Sequence, residues 1–286
     1  MAHALVIGID GMIGAALGRE LTARGWTVTG TSRRAGSPNL PLDLADPEAG
    51  NVSLPAADVA VICAAMARFS DCRDRPETAR RVNVEAPAAL AARLARTGTR
   101  VILSSTSAVF DGRDPFVPPE RPVCPESAYG ALKAEAEAAI LRRKGAAVLR
   151  LTKVLHPGFP LFRNWAEALG RGEAIRAFSD LTLCPLLPAH VTAALAAIAE
   201  TEGTGIFQVS GARDLSYLEA ARILAGCLGA DPALVRPDSA RKAGIPPGER
   251  PAFTSLDSAR MAGLCGFCPP APEAVIAALA GEMMRP

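Results

Sequence analysis

The sequence predicts an α/β fold: a doubly wound parallel sheet with a small C-terminal substrate-binding lobe. Three observations lead there. Short, wholly apolar runs recur through the first 155 residues, separated by stretches of helical rhythm, which is the pattern of a sheet covered on both faces. Three glycines follow the first of those runs directly. Hydrophobic residues make up 49% of the 286 positions and charged residues 21%, so the chain can bury a sizeable core.

The elements follow in order. Leu5, Val6 and Ile7 form a buried strand. Residues 12–24 carry Ile13, Leu17 and Leu21 on one helical side, and Gly25 ends that helix. Residues 26–31 are a second strand, followed by a loop rich in Pro, Gly and Ser. Residues 58–64 are a third strand. The alanine-rich stretch 84–96 is a helix closed by Gly98, and 100–105 is a further strand. A long loop rich in proline and charge covers 111–126. A helix over 128–144 feeds a strand over 147–151. Beyond Pro157 the rhythm loosens: helices are expected over 164–171, 188–200 and 216–228, a last strand over 206–210, and mostly loop over 231–258. Residues 1–155 are thus expected to bind a dinucleotide. Residues 156–286 are expected to complete the sheet and build the lobe over its C-terminal edge.

Bulk properties exclude several classes. Thirty-one basic and 29 acidic residues leave a net charge of +2, which offers no electrostatic case for nucleic acid or a membrane surface. No membrane span or signal peptide is readable, so a cytoplasmic protein is expected. Seven cysteines at irregular spacing make a poor disulfide framework. Cys265 and Cys268 form one C-x-x-C, but no second pair lies nearby and the three histidines are remote in sequence. No metal site is expected.

A strand, a turn with Gly8, Gly11 and Gly14, and then a helix is a phosphate-binding arrangement. The helix opens at Met12 and Ile13, whose free N–H groups would face a pyrophosphate. Asp10 interrupts the turn with a negative charge. Its side chain is expected to point away from the phosphates or to cap a local N–H. The second strand ends in Thr31-Ser32-Arg33-Arg34, with no acid to accept from a free ribose hydroxyl. Ser32, Arg33 and Arg34 suit a 2'-phosphate instead, so NADP is expected over NAD.

Thr106 follows the 100–105 strand, at the sheet end where ligands bind in open α/β folds. Tyr129 and Lys133 are four apart and share a helix face. An ammonium beside a phenol lowers its pKa, so Tyr129 can exchange a proton with a carbonyl or alcohol oxygen. The Thr106 hydroxyl can hold the same oxygen.

On these residues the chain resembles the extended short-chain dehydrogenase/reductases, which are Rossmann-fold enzymes. Ser105-Thr106-Ser107-Ala108-Val109-Phe110-Asp111-Gly112 is similar to a stretch of the dTDP-4-dehydrorhamnose reductase and sugar-epimerase group. Glu120, Pro122 and Pro125 fit the approach to that group's catalytic helix. The resemblance implies Thr106, Tyr129 and Lys133 as the catalytic set, with the last two also touching the cofactor. It implies Asp43 and Leu44 at the adenine, and Ala64, Ala65 and Met66 in the strand-end loop beside the cofactor. Asn83 matches a family asparagine on the following helix. Ser107, His156, Asn164 and Arg176 are the candidate substrate contacts, with Arg163 beside them. His190, near a helix start, reads as structural. Ser107-Ala108 replaces the group's Asp-Tyr, and the segment 179–188 replaces a more polar loop.

The implied function is an NADP-preferring reductase of a keto group, most closely one on a nucleotide-activated sugar. Tyr129 would be the proton donor. A nucleotide-sugar epimerase or dehydratase with retained cofactor is the alternative, and a non-catalytic NADP-binding regulator or scaffold is the other. The expected partner is a small molecule, with a homodimer left open.

Overall fold

The computed structural model describes residues 1–284. Its strands are β1 His3–Ile7, β2 Thr27–Ser32, β3 Leu40–Pro41, β4 Val59–Ile62, β5 Arg100–Ser104, β6 Ala147–Leu151, β7 Lys153–Val154, β8 Ile175–Phe178, β9 Thr182–Leu183, β10 Pro185–Leu186, β11 Gly205–Val209, β12 Leu215–Ser216 and β13 Val235–Asp238. Its α-helices are α1 Met12–Ala23, α2 Phe69–Asp74, α3 Pro76–Arg80, α4 Ala86–Arg96, α5 Ala128–Leu141, α6 Pro160–Gly170, α7 Pro188–Glu200, α8 Tyr217–Cys227, α9 Ala259–Cys265 and α10 Pro272–Met283.

Seven strands form one parallel sheet in the order β11-β6-β5-β4-β1-β2-β3. The order reverses beside β1, and a crevice opens at that reversal. Successive strand residues face opposite sides. Ala4, Val6, Val59, Val61 and Ile102 pack with Leu17 and Leu21 of α1 and Val191, Leu195 and Ile198 of α7. Leu5, Ile7, Ala60, Ile62, Val101 and Leu103 pack with Leu90 and Leu94 of α4 and Ile140 of α5. The apolar runs are therefore apolar at every position because both faces are covered, and the sheet is doubly wound.

The chain after Leu155 does two things. It returns α7 against α1 and β11 against β6. It also builds a separate apolar cluster from Phe162, Trp165 and Leu169 of α6, Leu224 of α8 and Ile276 and Leu279 of α10. Some boundaries differ from expectation. A π-turn over Arg81–Glu85 precedes α4, and α6 begins at Pro160, a residue suited to a first helical position. The segment expected to be mostly loop contains β13, which pairs in parallel with β8 through Val235↔Ile175. Its sequence, Val-Arg-Pro-Asp, carries no apolar alternation, so only the tertiary pairing makes it a strand. Cys265 closes α9, and both it and Cys268 are exposed free thiols. Among the described residues no helix is long and apolar enough to cross a membrane.

Candidate active site

A cleft of about 1360 Å³ runs across the C-terminal ends of the central strands. Its first end is the glycine turn. Gly8 takes φ +87°, and a Cβ on it would lie 2.7 Å from that of Ala64. Gly14 lies under the Gly8 carbonyl, where a side chain would collide. α1 starts at Gly11 with no side-chain cap and no acid in its first turn, so its N–H groups are open to the cleft. A pyrophosphate fits this backbone cradle. Asp43, Leu44, Ala64, Ala65 and Met66 line the cleft beside it.

The expected lack of an acid at the end of β2 is corrected. The Asp10 carboxylate turns toward the end of β2: it accepts a short hydrogen bond from the Ser32 hydroxyl and lies 3.8 Å from the Arg34 guanidinium. An acid thus stands at the end of β2 after all, delivered by the turn rather than by the strand. Arg33 is exposed on the rim. Thr31 is buried, and its hydroxyl accepts from the Gly8 N–H at 3.1 Å. Asn83 is also buried and is not part of the cleft wall. Its amide oxygen accepts from Met66 N at 2.9 Å and its nitrogen donates to Met66 O at 3.0 Å, a clasp that shapes the 64–66 loop from behind.

Farther along stand Thr106, Ser107 and Tyr129, all lining the cleft. Thr106 precedes a 3-10 turn over Ser107–Val109 and accepts from Ala108 N at 3.2 Å. Ser127 caps α5 through Gly130 N at 3.1 Å, which places Tyr129 in the first turn. Gly130 lets α5 touch that 3-10 turn, because a side chain there would collide with the Ala108 carbonyl. Phe69 of α2 packs on the Tyr129 ring at 5.8 Å between centroids.

Lys133 lies one turn below Tyr129, is 2% exposed and donates to Ser104 O at 2.7 Å. Burial pushes its ammonium down to about 8, with the Glu137 carboxylate and the Cys63 thiol holding it up. The expectation that Lys133 lowers the Tyr129 phenol is not met in this arrangement. Burial pushes the phenol above its ordinary range, the Cys72 thiol adds to the rise, and the Thr106 hydroxyl opposes it. The ammonium faces Ser104 and Glu137 instead of the phenol oxygen. The neutral phenol is the form that can give a proton.

Glu137 extends the Tyr129–Lys133 face by one more turn. It is buried and holds Arg150 of β6 at 2.8 Å, and Arg150 also reaches the Pro119 carbonyl and Gln208 of β11. Ser105 donates its hydroxyl to the same carboxylate. The catalytic helix is therefore tied to the sheet through a satisfied buried pair. The sequence reading missed Glu137, Gly130 and Phe69. The spacing 129, 133, 137 was the available signal for the first, and the glycine between Tyr129 and Lys133 for the second.

The far end of the cleft is lined by Thr152, Lys153, Leu181, Leu183, Tyr217 and Phe253, among others. Three expected substrate contacts are absent from its wall. Asn164 lies on the solvent face of α6, whose inward face is Phe162, Trp165 and Leu169. Arg176 is 70% exposed on β8, with Asp238 at 3.9 Å. His156 packs edge-on against Phe159 at 6.3 Å. Arg163, on the same face of α6 as Asn164, lies near Glu167. His190 accepts from Leu187 N at 3.0 Å and caps α7.

A protein-family model described as the RmlD substrate binding domain matches residues 2–284. The chain is 32% identical over 270 residues to dTDP-4-dehydrorhamnose reductase of Mycolicibacterium smegmatis, covering 92% of this chain and 80% of the relative. It is 30% identical over 268 residues to the probable dTDP-4,6-dihydroxy-2-methyloxan-3-one 4-ketoreductase of Streptomyces antibioticus, covering 91% and 88%. In fold it is similar to the dTDP-4-dehydrorhamnose reductase of Bacillus anthracis solved in complex with NADP, with a TM-score of 0.86, 19% identity and coverage of 99% and 100%. The chain belongs to the RmlD substrate-binding family of extended short-chain dehydrogenase/reductases.

Proposed function

We propose that this protein reduces a keto group on a nucleotide-activated sugar, with NADPH as the preferred reductant. The observation that carries the reading is the convergence of Thr106 and Tyr129 on one cleft that begins at the glycine turn, with Lys133 buried one turn below Tyr129 and bonded to Ser104 O. The relatives named as reductases support the substrate class, and the neighbour solved with NADP supports the cofactor.

When bound, the reduced nicotinamide supplies a hydride to the carbonyl carbon. The turn of Gly8, Gly11 and Gly14, with Met12 and Ile13, would hold the pyrophosphate. Ser32, Arg33 and Arg34 would face the adenosine ribose across from Asp10, and Asp43 and Leu44 would meet the adenine. Ala64, Ala65 and Met66 would support the cofactor, with Asn83 setting their loop from behind. Thr106 would align the carbonyl oxygen, with Ser107 beside it. Tyr129, kept neutral by burial, would protonate that oxygen as negative charge develops on it. Lys133 would bind the nicotinamide ribose and keep a positive charge under the phenol. Orientation by rigid elements supplies much of the rate.

Changing Tyr129 to Phe tests the roles. Turnover should fall by at least ~1000-fold, within the range of general acid catalysis, while NADPH affinity measured by nicotinamide fluorescence stays within about threefold. Full turnover in that variant would remove Tyr129 as the proton donor.

A further inference from the structure

Lys153 is a half-buried cleft-lining residue whose charge the mechanism leaves unused and no carboxylate among the described residues answers. It sits on β7, paired in register with Pro185 of β10 and directly after β6. β6 itself is bonded to the catalytic loop through Ser105 N and Leu149 O at 2.7 Å. Lys153 is thus held on paired backbone that continues from β6, not on a loop at the rim.

The acids of the cleft already have partners. Asp71 pairs with Arg75 at 3.2 Å, Glu249 with Arg73 at 2.6 Å and Asp111 with Arg113 at 3.5 Å. Asp10 is taken by Ser32 and Arg34. Among the described residues no carboxylate and no hydrogen-bond acceptor meets the Lys153 ammonium. Its nearest favourable neighbour is the Phe159 ring, 4.7 Å from Nζ to centroid. Behind that ring stand Phe162 at 5.9 Å and Trp165 beyond it, and Tyr217 closes the wall. Burial pushes the Lys153 ammonium down, with nothing holding it up. A cation in apolar surroundings is costly unless an anion joins it. Lys133 has an acceptor in the Ser104 carbonyl at 2.7 Å; Lys153 has none.

We infer that Lys153 receives an oxyanion of the substrate, foremost a carboxylate carried on the sugar close to the reacting carbonyl. The inference rests on the nucleotide-sugar reading above and narrows it to an acidic sugar. The diphosphate of the same substrate is the other source of an oxyanion.

Calorimetric titration of the NADP-loaded protein with dTDP-glucose, dTDP-glucuronate and dTDP separates these sources. The wild type should bind dTDP-glucuronate at least 10-fold more tightly than dTDP-glucose. Lys153→Met should erase that preference, and Lys153→Arg should keep most of it. NADPH affinity should be unchanged in both. Equal weakening of all three probes by Lys153→Met would also support the pairing and assign it to the diphosphate. If Lys153→Met loses NADPH affinity through misfolding, Lys153→Gln, which keeps a polar end without the charge, carries the same comparison. Unchanged affinities for all three probes in a folded neutral variant would overturn the inference while leaving the nucleotide-sugar reading standing. Failure of the wild type to bind any of the three would overturn both.

Discussion

The two ends of the cleft are built by different means. At the nucleotide end the recognising groups are backbone: the Gly8–Gly14 turn and the open start of α1, with Asn83 and Thr31 bracing the loops from behind. At the far end they are side chains on unconnected elements, Thr152 and Lys153 after β6, Leu181 and Leu183 around β9, Tyr217 on α8 and Phe253 in the last loops. At the first end Asp10 lies 3.8 Å from Arg34, whereas Lys153 at the second has no carboxylate partner among the described residues. A diphosphate is common to every dinucleotide, so a fixed backbone cradle can serve it. A substrate is particular, and its recognition is spread over tertiary neighbours.

Behind the cleft lies the buried Glu137–Arg150 pair, which should be the costliest of these contacts to alter. Glu137→Gln leaves Arg150 buried and uncompensated, and should destabilise the fold by about 3–5 kcal/mol. Asp71→Asn, which breaks a solvent-exposed pair with Arg75 at the rim, should cost less than about 1 kcal/mol. Denaturant titration of the two variants checks the contrast. Similar losses would mean that the catalytic helix is not anchored through Glu137.

Gly130→Ala comes next. The added methyl meets the Ala108 carbonyl and must push α5 off the Thr106 turn. Overpacking of this kind costs about 1–3 kcal/mol, and a displacement of ~1 Å at the reacting groups costs on the order of 100-fold in rate. kcat should therefore fall far more than NADPH affinity. Unaltered kcat would show that the contact between helix and turn does not set the geometry.

Smaller effects are expected at the adenosine end. Arg33→Ala should weaken NADPH relative to NADH by roughly 10-fold, about 1.4 kcal/mol. Asp10→Asn should move the ratio the other way, because it removes a carboxylate from beside the 2'-phosphate position. Fluorescence titration of both cofactors reads each. A ratio unmoved by either change would place the ribose elsewhere.

The gentlest perturbation is pH. Lys133 loses its proton as pH rises through about 8, while the Tyr129 phenol stays protonated beyond that. kcat in the reducing direction should be highest below about 8 and decline above it. A flat profile from pH 6 to 9.5 would mean that the Lys133 charge plays no part in turnover.

What the sequence reveals follows the same division. The apolar runs and the glycine turn are legible because their causes are local: a strand covered on both faces, a backbone close to its neighbour. The acid at the end of β2 was not legible because the partner of Asp10, Ser32, is 22 residues away and only the β1–β2 pairing brings them together. β13 has no strand pattern of its own and exists through β8. α10 was missed although Pro272 stands at its start and Val275, Ile276, Leu279 and Ala280 repeat at helical spacing. Asn164 and Arg176 were proposed by resemblance where this chain turns both to solvent.

The central claim is net reduction at a cleft whose cofactor end is prebuilt. The direct measurement incubates the protein with NADPH and a dTDP-4-keto sugar, follows absorbance at 340 nm and counts product in the same sample. One NADPH should disappear for each alcohol formed, and Tyr129→Phe should abolish both signals together. Product formed without net loss of NADPH would contradict the account and assign the cleft to an epimerase that returns its hydride.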